Sequence, residues 1–330
     1  MKDFDSSQPS RLRNMLLSPA EASSAYVAYA QKIRDWPGVC WGVQSLDKAI
    51  IPMRPGDVVG IIARPGHGKS TLMAYLARKT AKDIVTRGAT DKECVVYCTF
   101  EQSCEEIETF FEIEGDTYSA SDLAWGRVDI DAMMRGAIKR LTLPVWMMGK
   151  SMIRRGRIPR MTVDNVYRAL ETMEADHGIK PSLIILDYIQ IIPIDKPAER
   201  TAQVGDAINR AKTDLAMNVG CPIVFGVQAR RDVDSRSSKI PTSADCQWAS
   251  EIEQAADKLL GIWRPCLTED VLSVQVNRAE HVVTPQLLVA KLLKQRGEQA
   301  GQTFALHFAP QWVRLADIEL RGMIDERKAE

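Results

Sequence analysis

The stretch Ala63-Arg64-Pro65-Gly66-His67-Gly68-Lys69-Ser70 lies between an apolar run over 57–62 and a helical pattern over 69–81, and it constrains the chain more than any other segment. Glycines, a lysine and a hydroxyl in this order let backbone N–H groups curl around an anion at the start of a helix, whose dipole favours negative charge. A loop of that kind needs a buried strand behind it and a helix in front. It is a phosphate-binding loop with Ala63 in place of the leading glycine of the strict pattern. Lys69 directs a point charge toward the β- and γ-phosphates, and Ser70 offers its hydroxyl to Mg²⁺. The expected ATP contacts are Arg64, Pro65, Gly66, His67, Gly68, Lys69, Ser70 and Thr71, with His67 filling the loop rather than acting as a ligand.

From about residue 39 strands and helices alternate. Strands are expected over 57–62, 93–99, 183–186 and 222–227, and helices over 69–81, 105–114 and 197–217. Leu183-Ile184-Ile185-Leu186 is apolar at every position, as a central parallel strand buried on both faces requires. Alternation of this kind predicts an α/β fold with a mostly parallel sheet covered by helices on both faces. Apolar-rich strands over 286–295, 303–308 and 311–315 are expected to extend the sheet edge in antiparallel fashion. The domain limits read as 1–38 for an N-terminal arm and helix, 39–318 for the α/β domain and 319–330 for a charged tail.

A phosphate loop needs a carboxylate at the end of another buried strand to meet the Mg²⁺ shell, and Asp187 directly follows the 183–186 run. Glu101 ends the strand holding Val95 to Phe100, so it faces the same carboxyl edge, where ligands of open α/β sheets bind, and could polarise an attacking water. The 43 Lys+Arg against 43 Asp+Glu leave no net charge, which excludes a protein that coats nucleic acid or an anionic membrane over its whole surface. A local basic site stays open. The seven cysteines have no metal-ligand spacing, and Cys94 and Cys98 are expected as buried, reduced thiols on a strand. No apolar run is long enough for a membrane span and the N-terminus has no leader pattern, so a cytoplasmic protein without membrane partners is expected. Ser18-Pro19-Ala20-Glu21 opens a helix whose stripe of Ala22, Ala25, Tyr26, Tyr29 and Ile33 must lie on its own core or on a neighbouring subunit, and Trp36-Pro37-Gly38 stops it.

Together these residues resemble the C-terminal motor domain of the DnaB-type replicative helicases, RecA-like P-loop ATPases that form hexameric rings. The likeness runs from Trp41 to about Ala316. Gly42-Val43-Gln44-Ser45-Leu46-Asp47 and Arg54-Pro55-Gly56-Asp57 are similar to the family's approach to its phosphate loop, and Ala63-Arg64-Pro65 with Gly68-Lys69-Ser70 is similar to its own variant of that loop. Phe100-Glu101 resembles a Leu-Glu motif, which implies Glu101 as the catalytic base. Asp187-Tyr188-Ile189-Gln190 resembles the second magnesium motif, and Val227-Gln228 the strand end whose Gln senses the γ-phosphate. Ile252-Glu253-Gln254-Ala255-Ala256-Asp257 is a further match. Lys294-Gln295-Arg296-Gly297 resembles the segment that supplies the arginine finger, which implies that Lys294 and Arg296 act on ATP held by the next subunit and that the ring is obligate. Lys294 and Arg296, two apart on an expected strand, point to one face.

What the resemblance implies is a Mg²⁺- and ATP-dependent DNA helicase that moves 5′ to 3′ on single-stranded DNA in the replication of a phage, plasmid or similar element. A RecA-, KaiC- or RadA-like ATPase of recombination or regulation, or a nucleic-acid-binding scaffold, is the alternative. Three departures stand out. Gln247 falls where the family has an Arg on the strand backbone, so Trp248, which either stacks on a base or packs inside, and Arg230, Arg231, Arg236 and Lys239 just upstream are the candidates for nucleic-acid contact. Residues 154–160 hold four Arg in seven positions, suited to a phosphate backbone or an acidic partner, or simply a solvated loop. The collar domain has no counterpart in residues 1–38, and the helix there is similar to the one that docks on an adjacent subunit in such rings.

Overall fold

A computed structural model of the chain describes residues 16–113, 118–151, 159–193, 200–236, 238–246 and 249–318. The chain divides into two units, 1–38 and 39–330. In the first, helix α1 (Pro19–Asp35) begins as expected: Ser18 accepts from the Glu21 N–H, the Glu21 carboxylate accepts from the Ser18 N–H, and Pro19 takes the first turn. It ends where Trp36 donates its N–H to the Lys32 carbonyl. No residue of α1 is buried, and Tyr26 and Tyr29 are 69% and 54% exposed.

The second unit is built on one nine-stranded sheet. Its elements run α2 (Gln44–Ala49), β1 (Val58–Ala63), α3 (Lys69–Thr86), β2 (Glu93–Ser103), α4 (Cys104–Glu112), α5 (Ala120–Ala124), α6 (Ile130–Arg140), β3 (Val145–Lys150), α7 (Val163–His177), β4 (Lys180–Asp187), α8 (Arg200–Arg210), β5 (Ile223–Gln228), α9 (Ala249–Ala255), β6 (Lys258–Trp263), β7 (Ser273–Val276), β8 (Ala279–Val282), β9 (Leu287–Gln295), β10 (Thr303–Ala309) and β11 (Arg314–Asp317). The strand order is β3-β2-β4-β5-β1-β6-β9-β10-β11. From β3 to β6 all neighbours are parallel, and β9, β10 and β11 add antiparallel strands at one edge, as the sequence pattern predicts.

β1 is buried at every position because parallel strands lie on both sides of it and helices cover both faces. α3 buries Leu72, Met73, Leu76, Ala77, Ala81 and Ile84 along one face, and the period continues past residue 81 to Ile84, which is why the helix outruns its expected end. Cys94 and Cys98 are buried free thiols on β2. The expected helix over 197–217 changes winding: α8 passes into a π-helical stretch, Ala211–Gly220, that turns Lys212 toward Asp257. The strand expected over 311–315 is displaced. Pro310 has no N–H to continue β10, a short 3₁₀ turn (Pro310–Trp312) intervenes, and β11 pairs back from Arg314 opposite Ala309.

Between β6 and β9 the hairpin β7–β8 packs on a small apolar cluster of Trp263, Val276, Leu287 and Val289. Its turn, Asn277-Arg278, has positive φ at both residues, as a type I′ turn requires, without the glycine that announces such a turn in a sequence. On β6, Gly261 lies directly under the Pro241 carbonyl oxygen, and a Cβ there would sit far inside contact distance. Because the obstacle is backbone, Gly261→Ala is expected to lower stability by about 1–3 kcal/mol, read from the shift in chemical-denaturation midpoint.

Candidate active site

The carboxyl ends of β1, β5, β4 and β2 converge on one edge of the sheet. Ala63, the last residue of β1, is in register with Gln228 at the end of β5. Two strands over, Asp187 ends β4 in register with Thr99 of β2, and Glu101 follows two residues later. The phosphate loop leaves β1 at this edge, and its backbone curl depends on Gly66 and Gly68, at φ +79° and +87°. Gly68 also rests on the ring of Phe308 from β10, which leaves no room for a Cβ.

Lys69 opens α3 and reaches sideways across β5. Its stem lies over Gly226, where a Cβ would come within 2.8 Å of its Cδ, and its ammonium stands 4.0 Å from the centre of the Tyr188 ring. A glycine inside a strand signals such close approach. Burial lowers the Lys69 pKa, and the fields of Asp187 and Glu101 oppose that shift. Asp187 is 3% exposed and accepts a 2.9 Å hydrogen bond from the Tyr97 hydroxyl on β2. Tyr97 is fully buried, and burial, then the neighbouring Asp187 charge, push its pKa well above the usual phenol range, so it stays a donor. Gln190 laces β4 to β5: its Oε1 accepts from the Gln228 N–H at 2.6 Å and its Nε2 donates to the Gln228 carbonyl at 3.1 Å.

Two loop residues have partners elsewhere in the chain. The Arg64 guanidinium turns away to the Asp234 carboxylate, with Nε and Nη2 at 2.9–3.1 Å, and to the Ala229 carbonyl at 3.0 Å. His67 is buried, and its Nδ1 accepts the Arg264 backbone N–H at 3.0 Å, which ties the loop to the end of β6. Burial and the Arg264 charge bring its pKa down to about 4.

The basic residues expected to meet a nucleic acid divide into two pairs. Arg230 and Arg231 are exposed in the loop after β5. Arg236 instead pairs with Asp245 at 2.6 Å, and Lys239 donates to the Asp234 carbonyl at 2.5 Å, so these two cations hold the loop in shape. Gln247, Trp248 and most of the 154–160 cluster lie outside the described residues.

Lys294 and Arg296 sit at the opposite edge. Lys294 on β9 is in register with Leu259, and Arg296 follows the strand and donates its N–H to the Asp257 carbonyl. Asp257 in turn pairs through its backbone with Val58, at the start of β1. The length of β1 from Val58 to Ala63, about 16 Å, separates these side chains from the phosphate loop of their own chain. Both face the junction of α9 and β6: Lys294 donates to the Glu253 and Ala256 carbonyls, and Arg296 pairs with Asp257 at 3.0 Å. The Arg296 side chain is still 67% exposed. Burial, then the nearby Arg296, lower the Lys294 pKa.

The site suits a Mg-nucleotide. Oxygen donors, the Ser70 hydroxyl and the Asp187 carboxylate, are those a hard cation prefers, and Mg²⁺ takes few protein ligands, completing its shell with phosphate and water. The residues that sequence reading did not flag are Tyr97, Gly226, Asp234 and Arg264. A tyrosine inside an otherwise apolar strand and a glycine within β5 were the available signals.

The fold and this edge define a RecA-like P-loop domain. A solved ATPase domain superposes with a TM-score of 0.74 over 91% of this chain and 100% of that one, at 17% identity. A DnaB-like replicative helicase, described together with its interactions with primase, gives 0.71 over 89% of this chain and 66% of that one, also at 17%. Residues 38–317 match the family of the DnaB-like helicase C terminal domain, and the chain belongs to that family. Among curated relatives, the replicative DNA helicase DnaB of Leifsonia xyli subsp. xyli is 26% identical over 69% of this chain and 47% of its own length. That of Buchnera aphidicola subsp. Baizongia pistaciae is 24% identical over 88% and 58%. The chain thus spans about half the length of the curated relatives it matches. Among the described residues no helix is long and apolar enough to cross a membrane.

Two outcomes test this geometry. Gly226→Ala should displace the Lys69 stem and weaken binding of a fluorescent ATP analogue about tenfold, roughly 1.4 kcal/mol, with the circular dichroism spectrum unchanged. His67 has its folded pKa below the value of about 6.5 in an unfolded chain, so the fold favours the neutral ring. That stability is present above pH 6.5 and is lost as pH falls toward about 4. The thermal midpoint of the wild type should therefore drop across this window more steeply than that of His67→Gln.

Proposed function

We propose that this chain is the motor of a ring-forming, Mg-ATP-dependent DNA translocase that unwinds duplex. The observation that carries the reading is the division of parts between two sheet edges: Lys69, Ser70, Asp187 and Glu101 at the carboxyl edge, Lys294 and Arg296 about 16 Å away at the other. A site with its cations so far from its own phosphate loop is completed by a second copy. Bound Mg-ATP supplies the γ-phosphoryl group that is transferred to water. Lys69 holds phosphate charge, and Ser70 and Asp187 hold the metal, with Tyr97 fixing the Asp187 carboxylate. Glu101, which lies two residues before the end of β2 rather than at it, is exposed to solvent and orients and deprotonates the attacking water. Gln228, braced by Gln190, stands between the phosphate loop and the loop that carries Arg230 and Arg231, which contact the single strand. Arg296 of one copy, with Lys294 beside it, neutralises charge that develops on the phosphoryl group held by the next.

An exposed apolar face supports assembly: α6 exposes Ile130, Met134 and Ile138, which recur at four-residue steps along one side of the helix. The test is ATP hydrolysis with and without single-stranded DNA, followed by mixing inactive Lys69→Ala with inactive Arg296→Ala subunits. Stimulation by DNA and partial recovery of activity on mixing are expected, since some interfaces then pair an intact Lys69 with an intact Arg296. Absence of both sinks the ring-motor reading.

A further inference from the structure

Arg64 opens the phosphate loop, yet its guanidinium is committed elsewhere. Nε lies 3.0 and 3.1 Å from the two Asp234 oxygens, Nη2 lies 2.9 Å from one of them, and Nη1 donates to the Ala229 carbonyl at 3.0 Å. The Arg64 side chain is 16% exposed and that of Asp234 57%, so the fork holds from a mostly covered guanidinium to a carboxylate open to solvent on one side. Asp234 belongs to a one-turn 3₁₀ helix, Arg231–Ser235, whose Val233 is completely buried. Lys239 clamps the same turn through the Asp234 carbonyl. At the other end of the loop, Ala229 donates its N–H to the Ala63 carbonyl at 2.9 Å. The two ties, Ala63 to Ala229 and Arg64 to Asp234, bracket the exposed Arg230 and Arg231.

We propose that the Arg64–Asp234 pair is a coupling element: it makes the phosphate loop and the basic loop after β5 move as one piece, so that the nucleotide state sets where Arg230 and Arg231 stand. The proposal rests on the nucleic-acid reading above and adds Arg64 and Asp234 as positioning residues. Nothing in this arrangement requires Arg64 to touch a phosphate. A displacement of the loop backbone by bound phosphates carries the Arg64 fork with it, and Asp234 follows because its turn is already packed as a unit. Coupling of this kind must appear as a ratio of affinities rather than as a loss of binding at either site.

Asp234→Asn keeps the shape and removes the charge. In the full chain, affinity for a labelled oligo-dT is measured with ADP and with a non-hydrolysable ATP analogue, alongside affinity for a fluorescent ATP analogue. The wild type is expected to separate the two nucleotide states by about tenfold in oligonucleotide affinity. Asp234→Asn should bind nucleotide within about twofold of wild type while that ratio collapses toward one, and Asp234→Glu should restore most of it. A ratio unchanged in Asp234→Asn overturns the proposal, as does a loss of nucleotide affinity as large as the loss of the ratio, which would mark the pair as structural. Wild-type oligonucleotide binding that ignores the nucleotide overturns the coupling alone. Wild type that binds nucleotide but no oligonucleotide overturns the nucleic-acid reading, and the coupling with it.

Discussion

The sheet depends on one buried carboxylate. Asp257 is 4% exposed at the step into β6, where an unpaired charge would cost several kcal/mol. It accepts the Val58 N–H at 3.0 Å, two contacts of 3.2 Å from Lys212 in the π-helical stretch and one of 3.0 Å from Arg296 beyond β9. Its backbone pairs with both Val58 and Arg296. A single side chain thus fixes the starting ends of β1 and β6, the end of β9 and the helix that covers them. With that edge locked, the opposite edge is free to be built from loops, which is where the phosphate loop and its carboxylates stand.

What the sequence made legible was whatever chemistry confines to a few consecutive residues. The phosphate loop between strand and helix, the run into Asp187 and the antiparallel extension over β9 and β10 all follow from local pattern. The remainder is set by partners distant in the chain. Arg64 reads as a nucleotide contact until Asp234, 170 positions later, takes its guanidinium. Arg236 and Lys239 read as spare positive charge, but Arg236 pairs with Asp245 and Lys239, still charged, is drawn back onto a turn carbonyl, so the exposed cations of that loop narrow to Arg230 and Arg231. The β7–β8 hairpin escaped because Asn-Arg at its turn carries no glycine, and the displaced β11 because Pro310 ends one strand before the next can begin.

That narrowing bears on the balanced composition. A chain with equal numbers of acidic and basic residues can still present a cationic spot if its other cations are matched internally. Here internal matching is extensive at both sheet edges: Lys212 and Arg296 share Asp257, Lys258 pairs with Asp57 at 2.5 Å, and Arg64 pairs with Asp234. Neutrality of the whole is then compatible with a small, fixed site for a polyanion.

The course of Lys69 over Gly226 has a thermodynamic side. A lysine left to swing in solvent gives up roughly 1.5–2 kcal/mol of rotamer freedom when a ligand immobilises it. With its stem laid against bare strand backbone and its ammonium over the Tyr188 ring, Lys69 has surrendered most of that freedom when the chain folds. The entropy is lost once, at folding, and does not recur with each turnover. Each nucleotide then binds without that ordering cost, so a preset Lys69 strengthens the hold on phosphate charge at every binding event.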